Sequence, residues 1–166
     1  MRVHALGPVD TATQTFSASF DLWLLGTRLP DPGGLVFANA VTPIRLGEPV
    51  STRTVDSQQY RLYRAEGSFR SHSSAADLVD GRLHLDISLV DQSNTTTQVA
   101  IVPDVEASTL LPAGERSPTS GGAWMITQAT LEGRITTLPT LGDPLFPGAT
   151  SSHPTLVAAF VCQATR

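Results

Sequence analysis

The chain has 166 residues and a formal net charge of −4, and 40% of its residues are hydrophobic while 16% are charged. This length suits one domain with its own core, and the acidic balance with singly scattered arginines argues against a nucleic-acid partner. No stretch approaches the roughly 20 apolar residues of a membrane helix, so we expect a soluble chain. Ser, Thr, Gln and Asn fill most polar positions, which favours strands and turns.

The first clear strand in chain order covers residues 16–25. Its core-facing positions recur every second residue, which is the period of a strand with one buried face. These positions are Phe16, Ala18, Phe20, Leu22 and Leu24. Trp23 falls on the opposite face from Phe20 and Leu22, and we expect it to be partly exposed. The Pro-Asp-Pro-Gly-Gly sequence at 30–34 then ends any helix or central strand.

Further strands follow the same period. It is clear over 83–90 and weaker over 60–69, 98–102, 123–131 and 156–163, with breaks at 47–49, 91–94, 112–122 and 141–154. The pattern allows one turn of helix at most, near the chain start or over 109–115. Short strands separated by turns predict an all-β fold. We expect a two-sheet antiparallel β-sandwich, immunoglobulin-like and of about ten strands, as a single domain over 1–166.

Motifs for catalysis and metal binding are sparse. Cys162 is the single cysteine, on the apolar side of the last predicted strand, so we expect a buried hydrophobe and no metal–thiolate site. No Gly-x-Ser-x-Gly elbow, His-x-x-x-His pair or phosphate-binding glycine loop is present, and we predict no catalytic residues. The acidic pairs Asp77 with Asp80 and Asp86 with Asp91 are expected to be solvated, or at most a weak cation site.

Five segments carry a resemblance to a known family by their order along the chain. They are Val9–Leu24, Phe37–Ala40, Tyr60–Arg70, Leu83–Leu89 and Trp124–Pro144. In this order they resemble the hairpin, central strand and penultimate strand of the extracellular ligand-binding domain of pentameric (Cys-loop-type) ligand-gated ion channels, in the bacterial form. The resemblance covers nearly the whole chain, and Arg166 falls where the first membrane helix follows in that family.

The family's signature loop aligns with Ser73–Gly81. This segment lacks the proline–aromatic core that family members carry, and it lacks the two cysteines of animal members. Because that loop transmits the gating signal to the membrane domain, the departure favours a stand-alone binding or scaffold domain.

The resemblance also implies a ligand site between neighbouring subunits. Family ligands lie in a box of aromatic side chains, which can hold an ammonium group by cation–π attraction. When the family's binding site is mapped onto this sequence, Trp23 lies on a strand that lines the site from one side, and Tyr63 and Arg64 lie on the central strand. Phe146 and His153 lie in the loop over 140–154, at the position of the family's capping loop.

The function implied is an extracytoplasmic sensing domain, periplasmic or at the cell surface, that binds a small molecule and forms a homo-oligomer, a pentamer if family-like. It implies no enzyme activity, cofactor or nucleic acid, and a membrane only through a channel domain absent from this chain. Two alternatives remain open. A structural or protein-interaction sandwich should expose an apolar patch, and an esterase-like or glycan-acting β enzyme should gather acids or a nucleophile in a cleft.

Overall fold

The computed structural model describes residues 1–93, 116–117, 124–139 and 150–164, which hold nine strands, one short α-helix and a 3-10 turn at Pro32–Gly34. The strands are β1 (Arg2–Asp10), β2 (Thr15–Gly26), β3 (Leu35–Phe37), β4 (Ser51–Val55), β5 (Gln58–Arg70), β6 (Arg82–Asp91), β7 (Arg116–Ser117), β8 (Trp124–Pro139) and β9 (Thr150–Ala164). The helix α1 covers Ala75–Val79.

The strands form two antiparallel sheets. One has the order β1-β2-β5-β4 and the other the order β3-β6-β9-β8-β7. The central pair of the first sheet, β2 with β5, stays in register from Thr15 opposite Arg70 to Gly26 opposite Gln59. The predicted two-sheet antiparallel β-sandwich is therefore confirmed, with nine strands in the described part of the chain.

Aromatic rings join the two sheets. Phe16, Phe20 and Phe69 come from the first sheet and Phe37 comes from the second, and all four are at most 4% exposed. Phe69 is the hub, with ring centroids 5.6 Å from Phe16, 6.2 Å from Phe20 and 6.0 Å from Phe37. Such tilted and edge-to-face contacts add to the free energy of area burial.

The strand β1 was not predicted, and the helix turn allowed near the chain start is wrong. The register against β2 shifts twice, between Val3 and Ala5 and between Leu6 and Val9. Each β-bulge inserts a residue and breaks the two-residue alternation, so a scan for a strict period misses the strand. The strand predicted at 98–102 and the helix turn at 109–115 lie outside the described residues.

The helix α1 lies where the sequence aligned the family's signature loop, and it was also missed. Ser74 caps its N-terminus in a reciprocal capping box with Asp77. The chain then turns through Gly81 at a φ of 68°, a left-handed conformation that favours glycine. The Ser-x-x-Asp spacing was the available signal for this helix start.

The break predicted over 141–154 is wrong for its last residues, because β9 begins at Thr150 and passes through Pro154. The pairing of β6 with β9 ends at Val90 opposite Thr155, while Pro154 lies opposite Ile135 of β8. At Pro154, β9 therefore has a neighbour on one side only. A strand edge tolerates proline because no ladder hydrogen bond is needed there.

Candidate functional site

The outer face of the first sheet brings together two of the five predicted site residues. On β2, Trp23 and Asp21 alternate with the buried residues of the core, and Trp23 is half-buried, as expected. Asp21 lies directly opposite Arg64 on β5, and Trp23 lies opposite Leu62. Trp23 and Arg64 are therefore diagonal neighbours, a separation of about 7–8 Å that long side chains can bridge.

A side-chain triad, His4–Asp21–Arg64, links the three strands β1, β2 and β5. The Arg64 Nε donates to Asp21 Oδ1 at 3.0 Å, and its Nη2 reaches Oδ2 at 3.5 Å. The His4 Nε2 lies 2.9 Å from Asp21 Oδ2. The hydrogen bond from Arg64, helped by His4 and opposed by burial, lowers the pKa of the Asp21 carboxyl below its ordinary value. Asp21 is therefore a carboxylate at neutral pH.

A groove of about 600 Å³ opens beside this triad, lined by His4, Ser19, Arg64, Ala65 and Glu66. A second hollow of about 440 Å³ continues from it along the same face and shares Ser19 and Glu66. Small side chains line this hollow, among them Ser17 and Ser68, and they leave space open above the sheet. We name this continuous feature the outer groove. Its polar groups of both signs suit a small polar ligand.

The Tyr63 side chain points into the core, whereas the prediction placed it at the ligand site. It lies opposite Leu22 on the core-facing side of β5 and is 1% exposed, so it is not a strand-surface residue. Its hydroxyl has no hydrogen-bond partner in the described part of the chain. The pairing with β2 decides this orientation, because residues 60–69 carry apolar side chains on both faces. Tyr63 does not line the outer groove.

His153 is also placed differently from the prediction. It lies in β9 of the second sheet, not in a loop, and only 5% of it is exposed. Its Nε2 is 2.6 Å from Ser151 Oγ and its Nδ1 is 3.2 Å from the carbonyl oxygen of Asp91. Both ring nitrogens therefore have partners, which is the arrangement of a structural histidine. Phe146 lies outside the described residues.

Sequence reasoning missed three titratable side chains of this site: His4 and Glu66, which line the outer groove, and Asp21, which holds the triad beside it. The available signal was charge at outer-face positions of β2 and β5, since Asp21 stands between Phe20 and Leu22 and Glu66 between two small core-facing residues. His4 could not be found this way, because it lies beside the first bulge of β1.

Three aspartates of the two acidic pairs considered as a weak cation site, Asp77, Asp86 and Asp91, have other partners in the structure. Asp77 caps α1 and lies 3.6 Å from His84, and Asp86 lies 3.3 Å from His72. Asp91 is buried, contrary to expectation, and its Oδ1 accepts hydrogen bonds from both the backbone and the hydroxyl of Ser93. No group of three or more His, Cys, Asp or Glu side chains suited to a metal occurs among the described residues.

Cys162 is fully buried, as predicted. Burial raises the pKa of its thiol to about 11, so the thiol stays protonated at neutral pH. A buried, protonated thiol is a poor nucleophile, and Cys162 therefore acts as a small apolar side chain of the core.

No protein-family model and no curated protein matches this chain. In the described ranges, no helix has both the length and the apolar character needed to cross a membrane.

Proposed function

We propose that this chain is an extracytoplasmic sensing domain of the kind found in pentameric ligand-gated ion channels, and that it binds a small polar molecule in the outer groove. The observation that carries the proposal is that Trp23 and Arg64, both expected at the ligand site, are diagonal neighbours on one face, and that Arg64 lines an open groove on that face. Of the other residues expected at that site, Tyr63 and His153 are buried, and Phe146 lies outside the described residues.

The chemistry of the outer groove favours a ligand with charges of both signs. The Arg64 guanidinium, whose side chain is 66% exposed, can donate to a carboxylate. Glu66, two residues along on the same face, can accept from an ammonium group. Trp23 does not line the outer groove but stands beside Arg64 on the same face, where its ring can add a cation–π contact worth about 0.5–2 kcal/mol depending on desolvation. A small amino acid or amine fits these groups.

A second copy of the chain supplies what the groove lacks in the single subunit. The groove is open to solvent on one side, and ligands held against a single open face desolvate poorly. Packing of a neighbouring subunit over this face would close it, which agrees with the ring-shaped homo-oligomer, a pentamer, implied by the family resemblance.

The test combines ligand screening with measurement of mass. We expect one or more amino acids or amines to raise the unfolding temperature in a concentration-dependent way. Trp23→Leu and Arg64→Gln should weaken the best ligand about tenfold, which corresponds to about 1.4 kcal/mol. The matched control is Tyr63→Phe on the core face of the same sheet, which should bind as the original protein does.

Light scattering over a concentration series gives the oligomeric state in the same samples. A discrete pentamer whose ligand response depends on Trp23 and Arg64 supports the proposal. A monomer that responds to no compound in the screen contradicts it.

A protein-interaction sandwich is the second candidate, and exposed apolar side chains favour it. Leu25, Val50 and Val55 are 53%, 60% and 45% exposed, and they lie on or next to β2 and β4 of the first sheet. Replacing all three with Ser should abolish capture of a defined partner under the second candidate. If it does so while no ligand is found, the second candidate is preferred.

A further inference from the structure

We infer that the apolar part of the first sheet's outer face, next to the outer groove, holds the side chain of the ligand. Among the amino acids and amines that suit the groove, the ligand class is then the α-amino acids with a large apolar or aromatic side chain. We name this part of the face the apolar shelf, and it consists of Trp23, Leu25, Tyr60 and Leu62. The inference deepens the proposed function and rests on it for the positions of the charged groups.

The outward side chains of β5 change from charged to apolar in a fixed order. Glu66, Arg64 and Leu62 occupy successive outward positions of the strand, about 7 Å apart from one to the next. On the neighbouring strand β2, Trp23 lies opposite Leu62 and widens the apolar end of this order. A ligand lying along β5 therefore meets an acid, then a base, then apolar side chains.

The apolar shelf is accessible from solvent. Leu25 is 53% exposed, and the other three side chains of the shelf are partly exposed. Trp23 lies opposite Leu62 and Leu25 lies opposite Tyr60, so the four side chains form two adjacent rows on one face. Aromatic side chains supply a large contact area at a low cost in conformational entropy. An apolar group laid against these rows would therefore lose contact with water on one side.

Arg64 binds the carboxylate of the ligand while it stays paired with Asp21. Its Nε donates to Asp21 Oδ1 at 3.0 Å and its Nη2 reaches Oδ2 at 3.5 Å. A guanidinium has five N–H donors, so those on Nη1 are left for a second carboxylate. The Arg64 side chain is 66% exposed, whereas that of Asp21 is 12% exposed. Asp21 thereby holds the guanidinium at the border between the outer groove and the apolar shelf.

Glu66 supplies the position for the ammonium group. It lines both parts of the outer groove, and it forms no ion pair with any described residue. When the ammonium group lies beside Glu66 and the carboxylate beside Arg64, the side chain on the same carbon atom can extend over Leu62. A small side chain would leave the shelf wet, so the arrangement favours a large apolar one.

Four probes test this order of groups. L-phenylalanine carries all three groups, L-alanine lacks the ring, 2-phenylethylamine lacks the carboxylate and 3-phenylpropanoate lacks the ammonium group. NMR titrations at pH 7, followed by the backbone amide shifts of residues 62–66, give the dissociation constants. We expect L-phenylalanine to bind about tenfold more tightly than L-alanine, because its ring is partly buried. It should bind about three- to tenfold more tightly than either probe that lacks one charge.

One variant and one contact measurement assign the preference to the apolar shelf. Leu62→Thr should remove the preference for L-phenylalanine over L-alanine and leave the affinity for L-alanine unchanged. The matched control is Ile135→Thr, because Ile135 is a 51% exposed apolar residue in β8 of the second sheet, and this variant should keep the preference. In the original protein, the ring protons of L-phenylalanine should give intermolecular NOEs to the Leu62 methyl groups.

Three results overturn the inference: equal affinity for L-phenylalanine and L-alanine, a preference that survives in Leu62→Thr, or no binding of either amino acid. Each of them leaves the proposed function standing if another amino acid or amine binds through Trp23 and Arg64. A different pattern contradicts both proposals. In that pattern, L-phenylalanine and 3-phenylpropanoate bind equally well and Arg64→Gln weakens neither, so that the shelf binds apolar compounds without the charged groups.

Discussion

Asp21 and Asp86 both stand on outer strand faces, yet their surroundings shift their pKa values in opposite directions. The hydrogen bond from Arg64 is the largest influence on Asp21 and lowers its pKa. Burial is the largest influence on Asp86 and raises its pKa, although His72 and Arg134 partly offset this. The ionised form is therefore stabilised by folding at Asp21 and destabilised by folding at Asp86.

The effects of Asp21→Asn and Asp86→Asn on the free energy of unfolding should therefore differ at pH 7. The Asp21 carboxylate stabilises the fold above its unfolded pKa, near 3.8, and this contribution is lost as the pH falls through its lower folded value. Asp21→Asn should therefore lower the free energy of unfolding by about 1 kcal/mol at pH 7. The raised pKa of Asp86 means that its charge opposes folding once the pH exceeds the unfolded value, so Asp86→Asn should be neutral or stabilising at pH 7.

Urea unfolding at pH 7 and at pH 3 measures both effects. At pH 3 the Asp86 carboxyl is protonated in both states, and Asp86→Asn should then match the original protein. The effect of Asp21→Asn should also shrink toward pH 3. A destabilisation by Asp86→Asn at pH 7 comparable with that of Asp21→Asn would show that its contact with His72 outweighs burial.

At the scale of elements, α1 is held by local hydrogen bonds at its start and by the second sheet at its end. Ser74 Oγ accepts from the Asp77 backbone N–H at 3.1 Å, and Asp77 Oδ2 accepts from the Ser74 backbone N–H at 2.8 Å. After the helix, the Gly81 carbonyl accepts from the Ala164 backbone N–H at 2.9 Å. A five-residue helix is too short to be stable alone, so these contacts fix it.

Ser74→Ala should therefore loosen α1 while leaving the sandwich intact. Loss of an N-cap typically costs about 1 kcal/mol, and here the cost should fall mainly on local opening. Hydrogen exchange of the amides at 77–81 should accelerate about fivefold, with little change in the amides of β2 and β5. Val79→Ala is the matched control, since Val79 is 87% exposed in the same helix and should have no such effect. Equal exchange rates in the two variants would contradict a stabilising role for the capping box.

The prediction of strands succeeded where the two-residue alternation in the sequence matched the alternation of buried and exposed side chains in the structure. The alternation over 16–25 and 83–90 predicted β2 and β6 because each has one face against the core. It missed the strands β1, β3, β4 and β7 and placed the start of β9 too late; two bulges interrupt the period in β1, and Pro154 was treated as a break in β9. In both cases the partner strand decides whether the irregular residue is tolerated.

At the scale of the whole molecule, the aromatic cluster around Phe69 connects the two sheets. Phe69 is fully buried and contacts three other phenylalanine rings, one of them from the opposite sheet. Its backbone also forms a bridge to Ala40, in the segment that follows β3. Phe69 therefore contributes to the attachment between the sheets together with Phe20, whose ring lies 5.4 Å from that of Phe37.

Phe69→Ala should destabilise the protein by about 3–5 kcal/mol, because it removes a buried ring and leaves a cavity. This is a large part of the roughly 5–15 kcal/mol typical of a folded domain. Phe69→Leu should cost less, since it keeps part of the volume, and Leu25→Ala at an exposed site serves as the control. Chemical denaturation gives all three values. A loss for Phe69→Ala no greater than that for Leu25→Ala would contradict the role of the cluster.

The sequence by itself determined the fold class, the approximate positions of β2, β5, β6, β8 and β9, and the burial of Cys162, because these depend on two-residue periodicity and on turn residues, which are local. Only the tertiary structure decided which outer-face side chains meet. His4, Asp21 and Arg64 come from three strands separated by up to 60 positions; the register of β5 places Arg64 opposite Asp21, and His4 reaches Asp21 from the register shift between Val3 and Ala5 in β1. The inward direction of Tyr63 was likewise decided by its pairing with Leu22, since a one-residue change of register reverses the face of every side chain.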